Sequence, residues 1–232
     1  MRLLLGGWMG QAVAKSETAP CDFATWPLER AKKINAQYKD DNYDFGLNED
    51  HFRALLAESL KDTDLDHGAV ARELWYYYSK PAVKDLSIED PQVCIVISEV
   101  CTGLVALCQG KLHERLTFIF ELCDWNGQNF LNYDDSVILL FSALSGVARM
   151  AQRPLPTEYE IELLARCMFD AYNLDDGPHV TIRKDQSVEW AMRQLEELSS
   201  ASGGPVKLPA VISHFISLGK KPAKKKAVKP EG

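Results

Sequence analysis

The sequence predicts an all-α fold: four helix–loop–helix units grouped in two pairs, with a short β contact between the loops of each pair. Three observations predict it. Apolar residues recur at helical spacing on both sides of several polar intervals, so each flanking helix has one face to bury. One of those intervals, residues 124–135, is a twelve-residue run rich in side-chain oxygens. Each interval also carries an apolar residue where paired loops would touch: Leu47, Ile95, Leu131, and either Val180 or Ile182.

The interval 124–135 is the best formed. Phe118, Ile119 and Leu122 precede it, and Val137, Ile138, Leu140 and Phe141 follow it. Counting Asp124 as position 1 puts Asn126 at 3, Gln128 at 5, Phe130 at 7 through its backbone carbonyl, Asn132 at 9 and Asp135 at 12. That is the register of an EF-hand calcium loop, and these six residues are the candidate metal ligands. The loop also departs from the pattern. Position 5 is glutamine, position 6 is Asn129 instead of glycine, and position 12 is aspartate instead of glutamate. Asparagine tolerates positive φ, so the sharp turn survives. Asp135 is one methylene shorter than glutamate, which makes bidentate coordination of a large ion harder. With two charged ligands, calcium is expected to bind weakly, at ~10⁻⁴ M, or not at all.

A 232-residue chain, 46% hydrophobic and 25% charged, can bury a sizeable core as one domain or two small lobes. Its six cysteines include no C-x-x-C pair, which argues against a zinc site or a disulfide framework; they read as buried thiols of a reducing compartment. The net charge is −7, but residues 220–232 hold six lysines against one glutamate, leaving −12 on the rest.

In chain order, residues 1–25 read as an N-terminal extension. Its apolar start is too short and too interrupted by glycine for a signal peptide, and no stretch reaches the length of a membrane span. Were translation to begin at Met9, Gly10 would become N-terminal, but Ala14 stands where a myristoylation motif wants Ser or Thr. Residues 26–108 form the expected N-terminal pair. A helix over 26–38 enters a loop with Asp40, Asn42 and Asp44 at positions 1, 3 and 5 and His51 at 12, where no carboxylate can close on an ion. Phe52, Leu55 and Leu56 begin the exit helix. A second entering helix over 69–78, with Leu74, Trp75 and Tyr78 on one face, leads to a loop that keeps Glu99 at position 12. That loop has Ile88, Asp90 and Gln92 at positions 1, 3 and 5. The exit helix follows over 100–107.

The C-terminal pair spans 109–198. A helix over 112–123 enters the third loop, and its exit helix stops near Pro154 and Pro156. Thr157 and Glu160 form a capping box for the fourth entering helix, whose inner face uses Ile161, Leu164, Met168 and Phe169. In the last loop the closing residue is Lys184 if Val180 is at position 8 and Gln186 if Ile182 is; neither closes on calcium. A helix over 188–198 completes the pair, with Trp190, Leu195 and Leu198 apolar. Residues 199–219 read as a flexible linker from Ser199 to Pro205 and a short apolar helix, expected to dock on its own domain. Residues 220–232 are a basic, low-complexity tail suited to an acidic polymer surface such as tubulin tails, nucleic acid or anionic lipid.

The frame Glu99-Val100-Cys101-Thr102-Gly103-Leu104, the Gly110-Lys111-Leu112 connector and the run Phe120-Glu121-Leu122-Cys123-Asp124-Trp125-Asn126-Gly127 resemble the calaxin-like members of the neuronal calcium sensor and calcineurin B-like proteins. In that family a Gly-Leu follows the second loop, and a Gly-x-Leu turn precedes a Phe-Glu-x-x-Asp third hand. The run from Asp44 to Phe52 is similar to the degenerate first hand of the same group. The similarity covers about residues 30–198. The resemblance implies calcium binding, capture of a target helix and, for the calaxin-like branch, action on axonemal dynein.

Nothing in the sequence points to catalysis. His51, His67, His113, His179 and His214 are scattered, and there is no nucleophile elbow, phosphate loop or zinc spacing. The expected function is a non-enzymatic adaptor in a cytoplasmic assembly, the axoneme of a cilium or flagellum, with tubulin or axonemal dynein and its docking proteins as partners and nucleic acid not expected. Apolar surface around Trp75, Tyr76 and Tyr77 is the expected contact. The alternative is a calcium-switched regulatory subunit of the calcineurin B type.

Overall fold

A computed structural model describes residues 21–41, 46–79, 94–174, 179–203 and 206–220. Residues 1–20, the loop positions Asn42, Asp44, Ile88, Asp90 and Gln92, and the tail after Lys220 lie outside the described residues. The chain is mostly helical. A 3-10 turn at Phe23–Thr25 leads to α1 (Leu28–Asp40), α2 (Glu49–Ser59), α3 (His67–Tyr78), α4 (Ile97–Leu107) and α5 (Leu112–Glu121). Then come β1 (Phe130–Asn132), α6 (Tyr133–Met150), α7 (Glu158–Asp170), β2 (Thr181–Arg183), α8 (Lys184–Ser202) and α9 (Leu208–Gly219).

Short polar side chains start α2, α3, α6 and α7. Asn48 Oδ1 accepts from His51 N at 2.9 Å at the head of α2, Asp66 Oδ1 from Ala69 N at 3.0 Å at α3, and Asn132 Oδ1 from Asp135 N at 2.8 Å at α6. Both bonds of the expected capping box open α7: Thr157 Oγ1 accepts from Glu160 N at 3.3 Å and Glu160 Oε2 from Thr157 N at 3.1 Å. The segment 199–202, expected to be linker, is instead the last turn of α8. Ser200 Oγ donates to the Glu196 carbonyl at 2.9 Å and Ser202 Oγ to Ser199 at 3.0 Å. The helix stops at Gly203, whose φ of 63° supplies a left-handed cap.

The loops touch where the apolar positions fall. Leu47 and Ile95 exchange two backbone hydrogen bonds, of 2.9 and 2.8 Å. β1 pairs antiparallel with β2 in the register Leu131–Ile182, so Ile182 and not Val180 faces Leu131. Around these contacts α1 packs on α2 and α4, α2 on α3, α5 on α8, and α6 on α7. α9 lies against α7, α6 and α8, burying Leu208, Val211, Ile212, Phe215 and Leu218, so the short apolar helix docks on its own chain as expected.

A single hydrophobic cluster runs from Phe23 to Leu218, and its centre is the crossing of α4 and α6. There the backbones meet at Gly103 and Gly146. A Cβ on Gly103 would stand 2.8 Å from the Gly146 carbonyl oxygen, and one on Gly146 would overlap the Glu99 carbonyl oxygen and Thr102 Oγ1. Polar groups cross the same seam. Thr102 Oγ1 donates to the Ser142 carbonyl at 2.9 Å, Ser98 Oγ meets Ser142 Oγ at 3.1 Å, and Tyr78 of α3 donates to the Gly146 carbonyl at 3.1 Å. Glu99 Oε2 pairs with Arg149 Nε at 2.7 Å, with both side chains mostly buried.

Three expectations about exposure change. Of the six free cysteines, Cys94 is exposed, because Ile95 takes the inward side of the loop contact and its neighbour must face the other way. Ile138 is also exposed, since α6 turns Leu139, Leu140, Leu144 and Val147 inward. Trp75 and Tyr77 pack against the core, with Trp75 6.1 Å from Phe52, which leaves Tyr76 as the exposed member of that trio.

Gly146→Ala should lower stability by about 3 kcal/mol, because the added methyl meets backbone that cannot rotate away. Urea unfolding of the variant would measure it. Arg149→Met should cost about 3 kcal/mol at pH 7 by stranding a buried carboxylate. Burial already holds the Glu99 pKa above its ordinary value, opposed by Arg149. Without Arg149 the folded-state pKa rises further, so the loss is full above it and fades as pH falls to the unfolded value of about 4.3. Urea unfolding at the two pH values should therefore show the variant well below the unmodified chain at pH 7 and close to it at pH 4.5.

Candidate metal centre

The loop at 124–135 is built from its first carboxylate. Asp124 is buried just past the end of α5, and its Oδ1 accepts from Gln128 N at 3.0 Å while its Oδ2 accepts from Asn129 N at 2.9 Å. Asn126 Oδ1 also accepts from Gln128 N, at 3.3 Å. Folding the chain around one side chain requires two left-handed residues, Gly127 at φ 65° and Asn129 at φ 62°. Asparagine at position 6 thus does the work usually given to glycine. The Asn129 carbonyl then accepts from Lys184 N at 2.9 Å, tying this loop to the one preceding α8.

The six sequence-predicted ligands share this loop but not one task. Asp124 organises the turn. Asn126 and Gln128 are exposed, and Phe130 stands on β1 with 40% of its surface exposed. Asn132 spends its side-chain oxygen on the head of α6, where Asp135 is the residue it caps. Each Asp124 oxygen accepts one N–H and has capacity for another partner. The donors are all oxygens, which suits a hard cation such as calcium or magnesium. Their charge is low: among the described residues no three His, Cys, Asp or Glu side chains gather as a metal-holding group. Burial, with Asp135 adding, pushes the neighbouring Cys123 thiol up to about 12.

The other closing positions are spoken for. His51 is exposed in the first turn of α2, with its backbone N–H on Asn48. Glu99 faces α6 and Arg149. With Ile182 at the loop contact, the fourth closing residue is Gln186, whose Oε1 accepts from Arg183 N at 3.0 Å and whose carbonyl accepts from Tyr172 Oη at 2.8 Å. Sequence reasoning missed the Glu99–Arg149 pair, whose members are 50 residues apart with no local signal joining them. It also missed Arg115, which is 3% exposed on the inner face of α5; the spacing Leu112, Arg115, Leu116, Ile119 does mark that face.

No family model matches the chain, and no curated protein is significantly similar to it. Among the described residues no helix is long and apolar enough to cross a membrane.

Calcium titration by calorimetry should give at most one site per chain, near ~10⁻⁴ M, and Asp124→Ala should abolish it. Two or more ions bound below micromolar concentration would contradict this account of the loops. Without calcium, Asp124→Ala should still cost about 1 kcal/mol in thermal unfolding, because the Asn129 N–H loses its acceptor and the Gln128 N–H keeps only its longer bond to Asn126.

Proposed function

We propose that this chain is a non-enzymatic EF-hand adaptor of a larger cytoplasmic assembly, the axoneme of a cilium or flagellum, and that it holds its partner without needing calcium. The observation that carries the reading is the fate of the closing positions. A sensor opens when a bidentate glutamate at position 12 pulls its exit helix. Here the lone closing glutamate, Glu99, is bound to Arg149 across the α4–α6 seam. Asp135 lies at the head of a helix capped by Asn132. A ligand shifts an equilibrium only by its differential affinity for the two states, and a site near ~10⁻⁴ M stays almost empty at cytosolic calcium.

The paired loop contacts and the packing of α1 with α4, α2 with α3, α5 with α8 and α6 with α7 support the EF-hand reading, and so does the turn around Asp124. The axonemal assignment rests on the resemblance of residues 30–198 to calaxin-like proteins. The acidic body joined to a lysine-rich tail supports tubulin or axonemal dynein and its docking proteins as partners. Apolar contact is available from Tyr76 and Trp125, each 55% exposed, and from Phe130 and Ile138.

Capture of tubulin and of axonemal dynein should be unchanged by a chelator, and weakened by salt or by deletion of residues 220–232. Loss of capture in chelator would favour the calcium-switched regulatory subunit instead.

A further inference from the structure

Between α5, α6 and α8, with α9 along one side, lies a cleft of about 100 Å³. Its wall is aliphatic and aromatic, with Leu116, Ile119, Leu140, Ala143 and Trp190 prominent. Besides the indole of Trp190, two polar side chains reach the lining, Ser187 and Arg115. Ser187 is engaged inward, its Oγ 3.7 Å from Met168 Sδ. Arg115 is not balanced in this way.

Arg115 is 3% exposed, and one amino group of its guanidinium donates to the Cys108 carbonyl at 3.1 Å and to Val105 at 3.5 Å. These are carbonyls of the end of α4, where the helix dipole presents a partial negative charge. A fraction of a charge does not match a full buried cation. The Nε–H is buried and meets no acceptor, and no carboxylate among the described residues pairs with Arg115. Burial accordingly lowers its pKa, yet an arginine stays charged at any ordinary pH. A buried cation is costly unless an anion and hydrogen bonds meet it. An apolar cleft beside an unbalanced guanidinium is complementary to one chemistry: an aliphatic chain that ends in a carboxylate.

We propose that this cleft binds an aliphatic monocarboxylate, with the acid on Arg115 and the first carbons of the chain against Ile119, Leu140 and Trp190. The size sets the length. A cavity of about 150 Å³ accommodates the six carbons of benzene, so about 100 Å³ encloses roughly four, and longer chains extend through the mouth. Arg115 supplies selectivity, because an alcohol or an ammonium of the same length buries the same carbons and leaves the guanidinium without its anion. The proposal does not depend on the adaptor reading or on calcium.

The test is calorimetric titration of the full chain with hexanoate, hexanol and hexylammonium, followed by two variants. Hexanoate should bind at least tenfold more tightly than the other two. Arg115→Met keeps the apolar stem and removes the charge; it should fold and lose the tenfold preference. Ala143→Phe fills the cleft with Arg115 in place and should remove hexanoate binding. The proposal is overturned if hexanoate gives no binding or binds no better than hexanol to the unmodified chain. It is equally overturned if Ala143→Phe leaves hexanoate affinity unchanged, a result that holds even if Arg115→Met fails to fold.

Discussion

The close approach of α4 and α6 at Gly103 and Gly146 is the constraint on which the other packing depends. Two helices approach this near only where neither carries a Cβ at the contact, and here each glycine faces the other's backbone. The short distance brings Thr102 and Ser98 within reach of Ser142, and lets the Tyr78 hydroxyl of α3 find the Gly146 carbonyl. It also sets Glu99 beside Arg149, so a buried carboxylate is matched by a cation from the opposing helix. Because α4 packs on α1 and α6 on α7, the crossing joins both halves of the described chain into one core.

That fusion bears on the loops. A residue that would close a metal site in the second loop serves the helix crossing instead, and the loop contact at Ile95 persists because Leu47 needs a partner for its backbone and its side chain. The same logic holds in the other half, where Leu131 and Ile182 are buried while the ligand positions around them are capped, exposed or neutral. Burial of the position-8 residues is reason enough for such a loop to keep its shape. In the third loop a carboxylate, that of Asp124, turns the chain around itself.

α9 and Arg115 belong together in the second half. By lying on α7, α6 and α8, α9 covers apolar surface that would otherwise face water, and Trp190 meets Phe215 edge-on at 5.7 Å. The cover leaves a cleft with one charged side chain in it, held by the carbonyls at the end of α4. Lys220 at the end of α9 reaches Glu160 at 2.9 Å, and this contact, with the Thr157 cap, holds the Glu160 carboxyl below its usual range.

Local signals carried much of the architecture. The capping box at Thr157 and Glu160, the helical spacing of Ile161, Leu164, Met168 and Phe169, and the apolar eighth positions at Leu47, Ile95 and Leu131 are read within one or two turns of chain, and the structure bears them out. The turn around Asp124 was equally legible, since its acceptor and its two donors lie within five residues. Tertiary packing alone decided the choice of Ile182 over Val180, the partial burial of Tyr77, the Glu99–Arg149 pair and the unbalanced Arg115. Each depends on a partner from a distant segment, and periodicity shows which face is buried but not what it is buried against.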